Sequence, residues 1–402
     1  MRTFRSVLTS VCRGSVVAVV LCASAACEDG RAVADAGPPV LDVVDVQVVG
    51  TLDAIAKIED LVPSSDGATW VINSVDPFVI LLSAEGEELR SAGRLGEGPG
   101  EFSWPTTFVR NPTSGDLWVY DAALGRLTLV GDHELGGETL SLAEASSGPF
   151  RINSYEYLWM SNGGRTWLHG TEEGFVYARP SAELPWIGAF WSTAVTRLSP
   201  GQPPEQLVST ADAVGDPRPR FGDAMRFLPY PIWAGCPDGS LALYDPNANA
   251  LRRFSGEGEA STVHSLPPER SVRVSTERLF STVYPGILKN RLMANAPERD
   301  ALFDLLRRDY EAREAEFSEV FPEYVHLDCG PQGMLWLQEF DTGSGQMGRG
   351  PDWLRISSGG EVRRVKMPPT FRPMRFADDR IWGVHTDELD VEHVAWARLS
   401  GL

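Results

Sequence analysis

Asp66-Gly67-Ala68-Thr69-Trp70-Val71-Ile72-Asn73 is the stretch that decides the fold. Asp-Gly punctuates the chain as a turn, and Thr, Trp, Val and Ile then favour extended backbone because branched and aromatic side chains fit a pleated surface. A second apolar run follows, Phe78-Val79-Ile80-Leu81-Leu82-Ser83, then the turn Ala84-Glu85-Gly86-Glu87 and the short run Glu88-Leu89-Arg90. Strand side chains alternate between faces, so two such runs about a Gly turn make an antiparallel hairpin. The unit is a small meander with an apolar face it cannot cover alone.

The phrase recurs. Copies stand at Gly115-Asp116-Leu117-Trp118-Val119-Tyr120-Asp121, at Glu156-Tyr157-Leu158-Trp159-Met160-Ser161-Asn162 and at Asp238-Gly239-Ser240-Leu241-Ala242-Leu243-Tyr244-Asp245. Two more are Gln332-Gly333-Met334-Leu335-Trp336-Leu337-Gln338-Glu339 and Asp378-Asp379-Arg380-Ile381-Trp382-Gly383-Val384-His385. Meanders repeating every roughly 40 to 50 residues bury their faces by stacking radially, as blades of a propeller. The expectation is an all-β, six-bladed β-propeller of four-stranded antiparallel blades. The wide gap between Trp159 and Ala242 calls either for an insertion in one blade or for a degenerate seventh blade near Trp186 to Val208, and six is the preferred count. Val43–Val49 is expected to close the ring by pairing with the last blade, which hides two sheet edges.

Between late blades, residues 276–321 turn helical. Ser275 or Thr276 can cap, and Leu279, Tyr284, Leu288 and Leu292, then Leu302, Leu305, Leu306, Tyr310 and Phe317, fall near helical spacing. Two helices forming a lid on the rim are expected, with a partner-docking element as the alternative. Trp70, Trp118, Trp159, Trp336 and Trp382 hold the repeat's core position, whereas Trp186, Trp191 and Trp233 fall outside that register and suit the surface.

The chain has 402 residues, 39 Gly, 29 Pro, 43% hydrophobic and 23% charged residues, which excludes disordered, collagen-like and coiled-coil classes. Its 36 Lys and Arg against 55 Asp and Glu give a net charge of -19, which repels polyanions, so nucleic acid is excluded as a partner. Arg2, Arg5 and Arg13, the apolar stretch Val16–Ala23 and the small residues Ser24-Ala25-Ala26 before Cys27 read as an export signal. Ser24-Ala25-Ala26-Cys27 also suits a lipoprotein box with Cys27 lipidated. The expected organisation is a signal peptide over 1–26, a tether over 27–42 and the propeller over 43–402. The chain is then a monomer in the bacterial envelope, in the periplasm or on the outer membrane, touching the membrane only through its lipid, or else secreted.

At Arg94-Leu95-Gly96-Glu97-Gly98-Pro99-Gly100-Glu101-Phe102-Ser103-Trp104-Pro105 the chain resembles the NHL-type six-bladed propellers, whose blades open with a Gly-rich run, Gly-x-Phe and a nearby Pro. The nearest likeness is to bacterial six-bladed propellers exported as lipoproteins, in detail over about thirty residues and in outline from 45 to 400. The run is not a nucleotide loop, since Pro99 lacks a backbone N–H and strands rather than a helix follow.

Candidate chemistry is sparse. Asn73, Asp121, Asn162, Asp245, Glu339 and His385 end equivalent strands, and such a polar ring could hold Ca²⁺ over a central channel, as in propeller lactonases and lyases. The preferred reading is that the Asn and Asp residues close Asx-turns. His326, beside Asp328 on a strand expected nearest the channel, is the histidine to test first. Cys236 and Cys329 stand in like contexts and are expected as buried free thiols, a bridge requiring Cα atoms within about 7 Å. The favoured function is non-catalytic binding of a protein, peptide or glycan; the alternative is a metal-assisted hydrolase or lyase of lactone-like substrates.

Overall fold

Turn chemistry sets each hairpin. In the computed structural model Ser64 N–H donates to Ala68 O at 2.8 Å and Gly67 N–H to Ser64 O at 3.1 Å. Gly67 sits at φ 91°, in the left-handed region where a side chain would be strained. The same paired bonds close the turns at Ser83–Glu87, Cys236–Ser240, Ser255–Glu259 and Ser357–Glu361. The structure describes residues 38–50, 55–64, 66–111, 114–130, 135–141, 167–171, 174–179, 194–198, 205–216, 220, 229–267, 273–283, 299–316, 320–341, 349–377 and 380–400. The export signal, Cys27, Asn162, Trp159, Trp186 and Trp191 lie outside them.

The chain opens with β1 (Val40–Gly50). The first blade is β2 (Ile58–Pro63), β3 (Thr69–Asn73), β4 (Val79–Leu82) and β5 (Glu88–Ala92). A link carrying the short strands β6 (Arg94–Leu95) and β7 (Glu101–Phe102) leads to the second: β8 (Pro105–Arg110), β9 (Leu117–Asp121), β10 (Arg126–Val130) and β11 (Leu135–Ser141). The third is β12 (Trp167–Thr171), β13 (Gly174–Arg179), β14 (Ala194–Leu198) and β15 (Glu205–Ser209). The fourth is β16 (Ile232–Gly235), β17 (Leu241–Asp245), β18 (Ala250–Phe254) and β19 (Ala260–Ser265). The fifth is β20 (Tyr324–Cys329), β21 (Leu335–Phe340), β22 (Arg349–Ile356) and β23 (Val362–Lys366). The sixth is β24 (Phe371–Phe376), β25 (Ile381–Thr386) and β26 (Glu392–Leu399), with β1 as its outer strand.

This is the six-bladed propeller. First strands lie against first strands around the ring: β2 against β8 and β24, β12 against β8 and β16, and β16 against β20. Apolar clusters fill the gaps between neighbouring blades. Ile72, Phe102, Phe108 and Val119 join the first and second, and Ile58, Leu61, Val384 and Val394 the sixth and first. Each fully buried aliphatic or Phe side chain contributes about 1.5–3 kcal/mol. That interleaving, rather than any single sheet, makes the core.

β1 runs antiparallel to β26, Val43 opposite Leu399 and Gln47 opposite Trp396. The strand starts at Val40 rather than Val43 because Val40–Asp42 also pair, in parallel, with Arg364–Lys366 of β23. The third blade departs from expectation. Its second strand is β13, not the phrase around Trp159, and β12 and β13 form a tight hairpin with Thr171 opposite Gly174. Its four strands fill the long gap, so no seventh blade is needed.

Cys236 and Cys329 correct a second expectation, since they form a disulfide rather than free thiols. Cys329 ends β20 and Cys236 directly follows β16, the first strands of adjacent blades, and their Cα atoms lie 4.9 Å apart. Trp233 corrects a third. It is buried, packs on Phe254 at 5.4 Å and donates its indole N–H to Thr210 Oγ1 at 2.9 Å, so it is no surface platform. Trp118, Trp336 and Trp382 are buried as expected.

The helical segment lies between β19 and β20. Ser275 Oγ accepts from Arg278 N–H and caps the turn Thr276–Arg278, which runs on into a wider π turn over Leu279–Val283. The longer helix is α1 (Arg299–Ala312). Its Phe303 and Tyr310 meet Phe280 edge-on at 5.0 and 5.6 Å. Leu279, Phe280, Tyr310 and Phe321 join the core between the fourth and fifth blades, so the segment covers sheet surface.

Candidate functional site

The end of each second strand is where the sequence places its candidate ligands, and Asn73, Asp121, Asp245, Glu339 and His385 all lie there. Most are engaged locally. Asn73 Oδ1 accepts from Ala56 and Lys57 N–H, and its Nδ2 donates to Pro77 O. Asp121 accepts from Ser103 and Trp104 N–H across the blade junction, and from Ala123 and Leu124 N–H in its own turn. Asp245 accepts from Asn247 and Ala248 N–H and pairs with Arg252 at 2.7 Å. Glu339 pairs with Arg364 at 2.7 Å. Asp121 and Asp245 thus close Asx-turns. Among the described residues no group of three or more His, Cys, Asp or Glu is placed to hold a metal ion.

His385 stands directly opposite His393 on β26, and its buried Nδ1 has no hydrogen-bond partner among the described residues. His393 Nε2 lies 3.0 Å from Asp387 Oδ2. That contact, with the Val391 N–H, holds the Asp387 carboxyl below its ordinary range. His326 meets Trp353 edge-on at 5.6 Å.

A polar chain crosses the innermost strands of four blades. Asp60 of β2 is buried; its Oδ2 accepts from Thr107 Oγ1 and Phe108 N–H of β8, both at 2.8 Å, and from Arg375 of β24 at 2.5 Å. Its Oδ1 accepts from Leu61 N–H at 2.9 Å. Asp328 of β20 completes the line. Burial pushes its carboxyl above the usual range; Arg375 and the Cys329 N–H work against that, and the charge of Asp60 adds to it. Of this chain only Asp328 and its neighbour His326 drew notice in the sequence. Asp60 and Arg375 carry one weak signal, a charged residue on a first strand that is otherwise mostly apolar apart from Glu59 and Arg372.

The two faces differ in their exposed apolar residues. Second strands end on the face that also carries the links between blades, and five large apolar residues stand exposed there on three adjacent blades. Leu389 and Val391 cap the β25–β26 turn of the sixth, Val75 the β3–β4 turn of the first, and Leu95 and Trp104 the link into the second. Exposures of 81% for Leu389, 71% for Leu95 and 54% for Trp104 are large for such side chains. Among the described residues, no connection on the opposite face carries an exposed large apolar side chain.

The surrounding charge is acidic. Asp76, Glu97, Glu101, Asp387, Glu388 and Asp390 occupy these connections, and the two cations among them are engaged, Lys57 with Glu59 at 2.6 Å and Arg94 with Glu101 at 2.7 Å. The Gly98 N–H and Arg94 hold the Glu101 carboxyl below its ordinary value. Glu101 also fixes the Gly-rich link: a Cβ on Gly96 would collide with its carboxylate, and Arg126 ties the link down through Glu97, Gly98 and Glu101 carbonyls. Trp104 and Leu95 are therefore held on an ordered loop.

No family model matches the chain, and no curated protein matches it. Among solved structures it is similar to virginiamycin B lyase from Staphylococcus aureus, at 11% identity and a TM-score of 0.43, covering 89% of this chain and 99% of that one. A calcium-binding regucalcin from Agrobacterium tumefaciens gives 10% and 0.42, with 90% and 95% covered. A gluconolactonase from Xanthomonas campestris gives 11% and 0.41, with 91% and 99% covered.

Proposed function

We propose that this chain is an exported, lipid-anchored propeller that binds a basic peptide segment of a partner protein on the face formed by the sixth, first and second blades. The observation that carries the reading is the set of exposed apolar residues, Leu389, Val391, Val75, Leu95 and Trp104, among six carboxylates, with Lys57 and Arg94 of the same connections already engaged. Apolar anchors supply affinity and surrounding charge selects the partner, so a segment with Lys or Arg beside a bulky apolar residue complements it. Peptide display against the full chain tests this. Enrichment of such sequences, with binding reduced at least tenfold by Trp104→Ala or Leu389→Asp, is the expected result; enrichment insensitive to both substitutions counts against it.

Export and anchoring rest on the signal-like segment ending at Cys27 and on the Cys236–Cys329 disulfide, a bond that persists in oxidising compartments. Palmitate labelling abolished by Cys27→Ala is expected, and an unlipidated chain beginning at Ala26 would refute the anchor. A second reading, hydrolysis or elimination at the channel, is favoured by one observation: Asp328 is a carboxyl with raised proton affinity on an innermost strand, as a general acid requires. Turnover of lactones lost in Asp328→Asn would favour that reading.

A further inference from the structure

We infer that the cleft between the fifth and sixth blades, on the face opposite the proposed peptide site, binds a small aliphatic monocarboxylate through Arg355. The cleft has a volume of about 80 Å³. That is room for a few water-sized groups. Its apolar wall is Met334, Ile381 and Leu399, and its polar groups include Arg355 and Arg380.

Arg355 is the informative residue. It lies on β22 directly opposite Trp336 of β21, with its guanidinium 6.0 Å from that indole. Neighbouring partly buried arginines have a carboxylate: Arg364 has Glu339, Arg372 has Glu392, Arg375 has Asp60 and Arg363 has Glu361. Arg355 has none. Among the described residues its guanidinium makes no hydrogen bond or ion pair, and Glu361, the acid whose charge reaches it, is bound to Arg363 at 2.8 Å. Burial and the like charge of Arg363 make its protonated state less favourable than in water.

The surroundings reinforce this. Arg380, also on the cleft lining, lies over Trp396 at 4.5 Å, so the cleft carries two guanidiniums in a chain whose net charge is -19. The Trp336 indole beside Arg355 attracts its cation without neutralising it. An anion entering the cleft therefore meets a preformed donor pair on Arg355, whose planar fork matches a carboxylate bidentately. The apolar wall selects a carboxylate with a short hydrocarbon tail over a bare inorganic anion. Gln332, at φ 56°, an uncommon backbone for a residue with a side chain, also lines the cleft.

Titration calorimetry of the full chain with butanoate, sulfate and butylammonium at fixed ionic strength tests the inference. One butanoate per chain is expected, at least tenfold tighter than sulfate, with no binding of butylammonium. Arg355→Gln is expected to weaken butanoate at least tenfold, Arg355→Lys less so, and Met334→Gln to erase the preference over sulfate. Circular dichroism confirms that each variant is folded. No butanoate binding, equal binding of sulfate, or unchanged affinity in Arg355→Gln would each overturn the inference and reduce the cleft to an adventitious anion contact.

Discussion

Asp60 shows how much one side chain can join. Its carboxylate accepts from the first, second and sixth blades at once, with Arg375 lying 315 residues away in sequence. Removing one partner of such a pair strands the other charge, at a cost of about 3 kcal/mol, the low end of the usual range because Arg375 keeps some exposure. Asp60→Ala should lower unfolding stability by about that amount in urea, and adding Arg375→Met should restore part of it. Asp328 behaves oppositely. Its folded carboxyl holds its proton more tightly than in the unfolded chain, so its contribution is present at acid pH and is lost as pH rises through the raised value. Asp328→Asn should therefore unfold at higher urea than the parent at neutral pH, the gap closing as pH falls below the usual aspartate range. Asp328 was noticeable beside His326, but Asp60 and Arg375 were not. A charge on a strand does not reveal a partner three hundred residues away.

Hairpins were the legible elements. Turns rich in Asp, Ser and Gly, flanked by Val, Ile, Leu and Trp, marked strands in the first, second, fourth, fifth and sixth blades, because turn geometry and side-chain alternation are local properties. The third blade was missed. Gly174-Phe175-Val176-Tyr177-Ala178 alternates as a strand should, but it lacks the Trp-centred phrase that marked the others. The disulfide was illegible for a related reason: like contexts announced like positions, but only ring adjacency brings the sulfurs together. It links the fourth and fifth blades across a sequence separation of 93. Cys236→Ser with Cys329→Ser should cost about 2–4 kcal/mol in denaturant unfolding, and a reducing agent should abolish the difference between variant and parent.

At the scale of the whole molecule, an excess of negative charge and an apolar, acidic face make one joint prediction. Association with a basic peptide should weaken steadily as ionic strength rises, because the charges on these connections are exposed and screened over about 8–10 Å. Binding carried by the apolar anchors alone would show little such slope. Ring geometry was legible from repetition, since units too small to shield their own surfaces must stack. What each face carries was not, because exposure depends on which connections meet around the axis. One topological detail shapes the life of the chain from synthesis onward. The stretch Val40–Gly50 is made early and the strand Glu392–Leu399 almost last, yet each is the other's partner. A latch made at the beginning must wait for its catch at the end, so no shortened product can shut the circle. A ribosome halted just before residue 392 would release a molecule with a permanent gap, ready to borrow a strand from its neighbour.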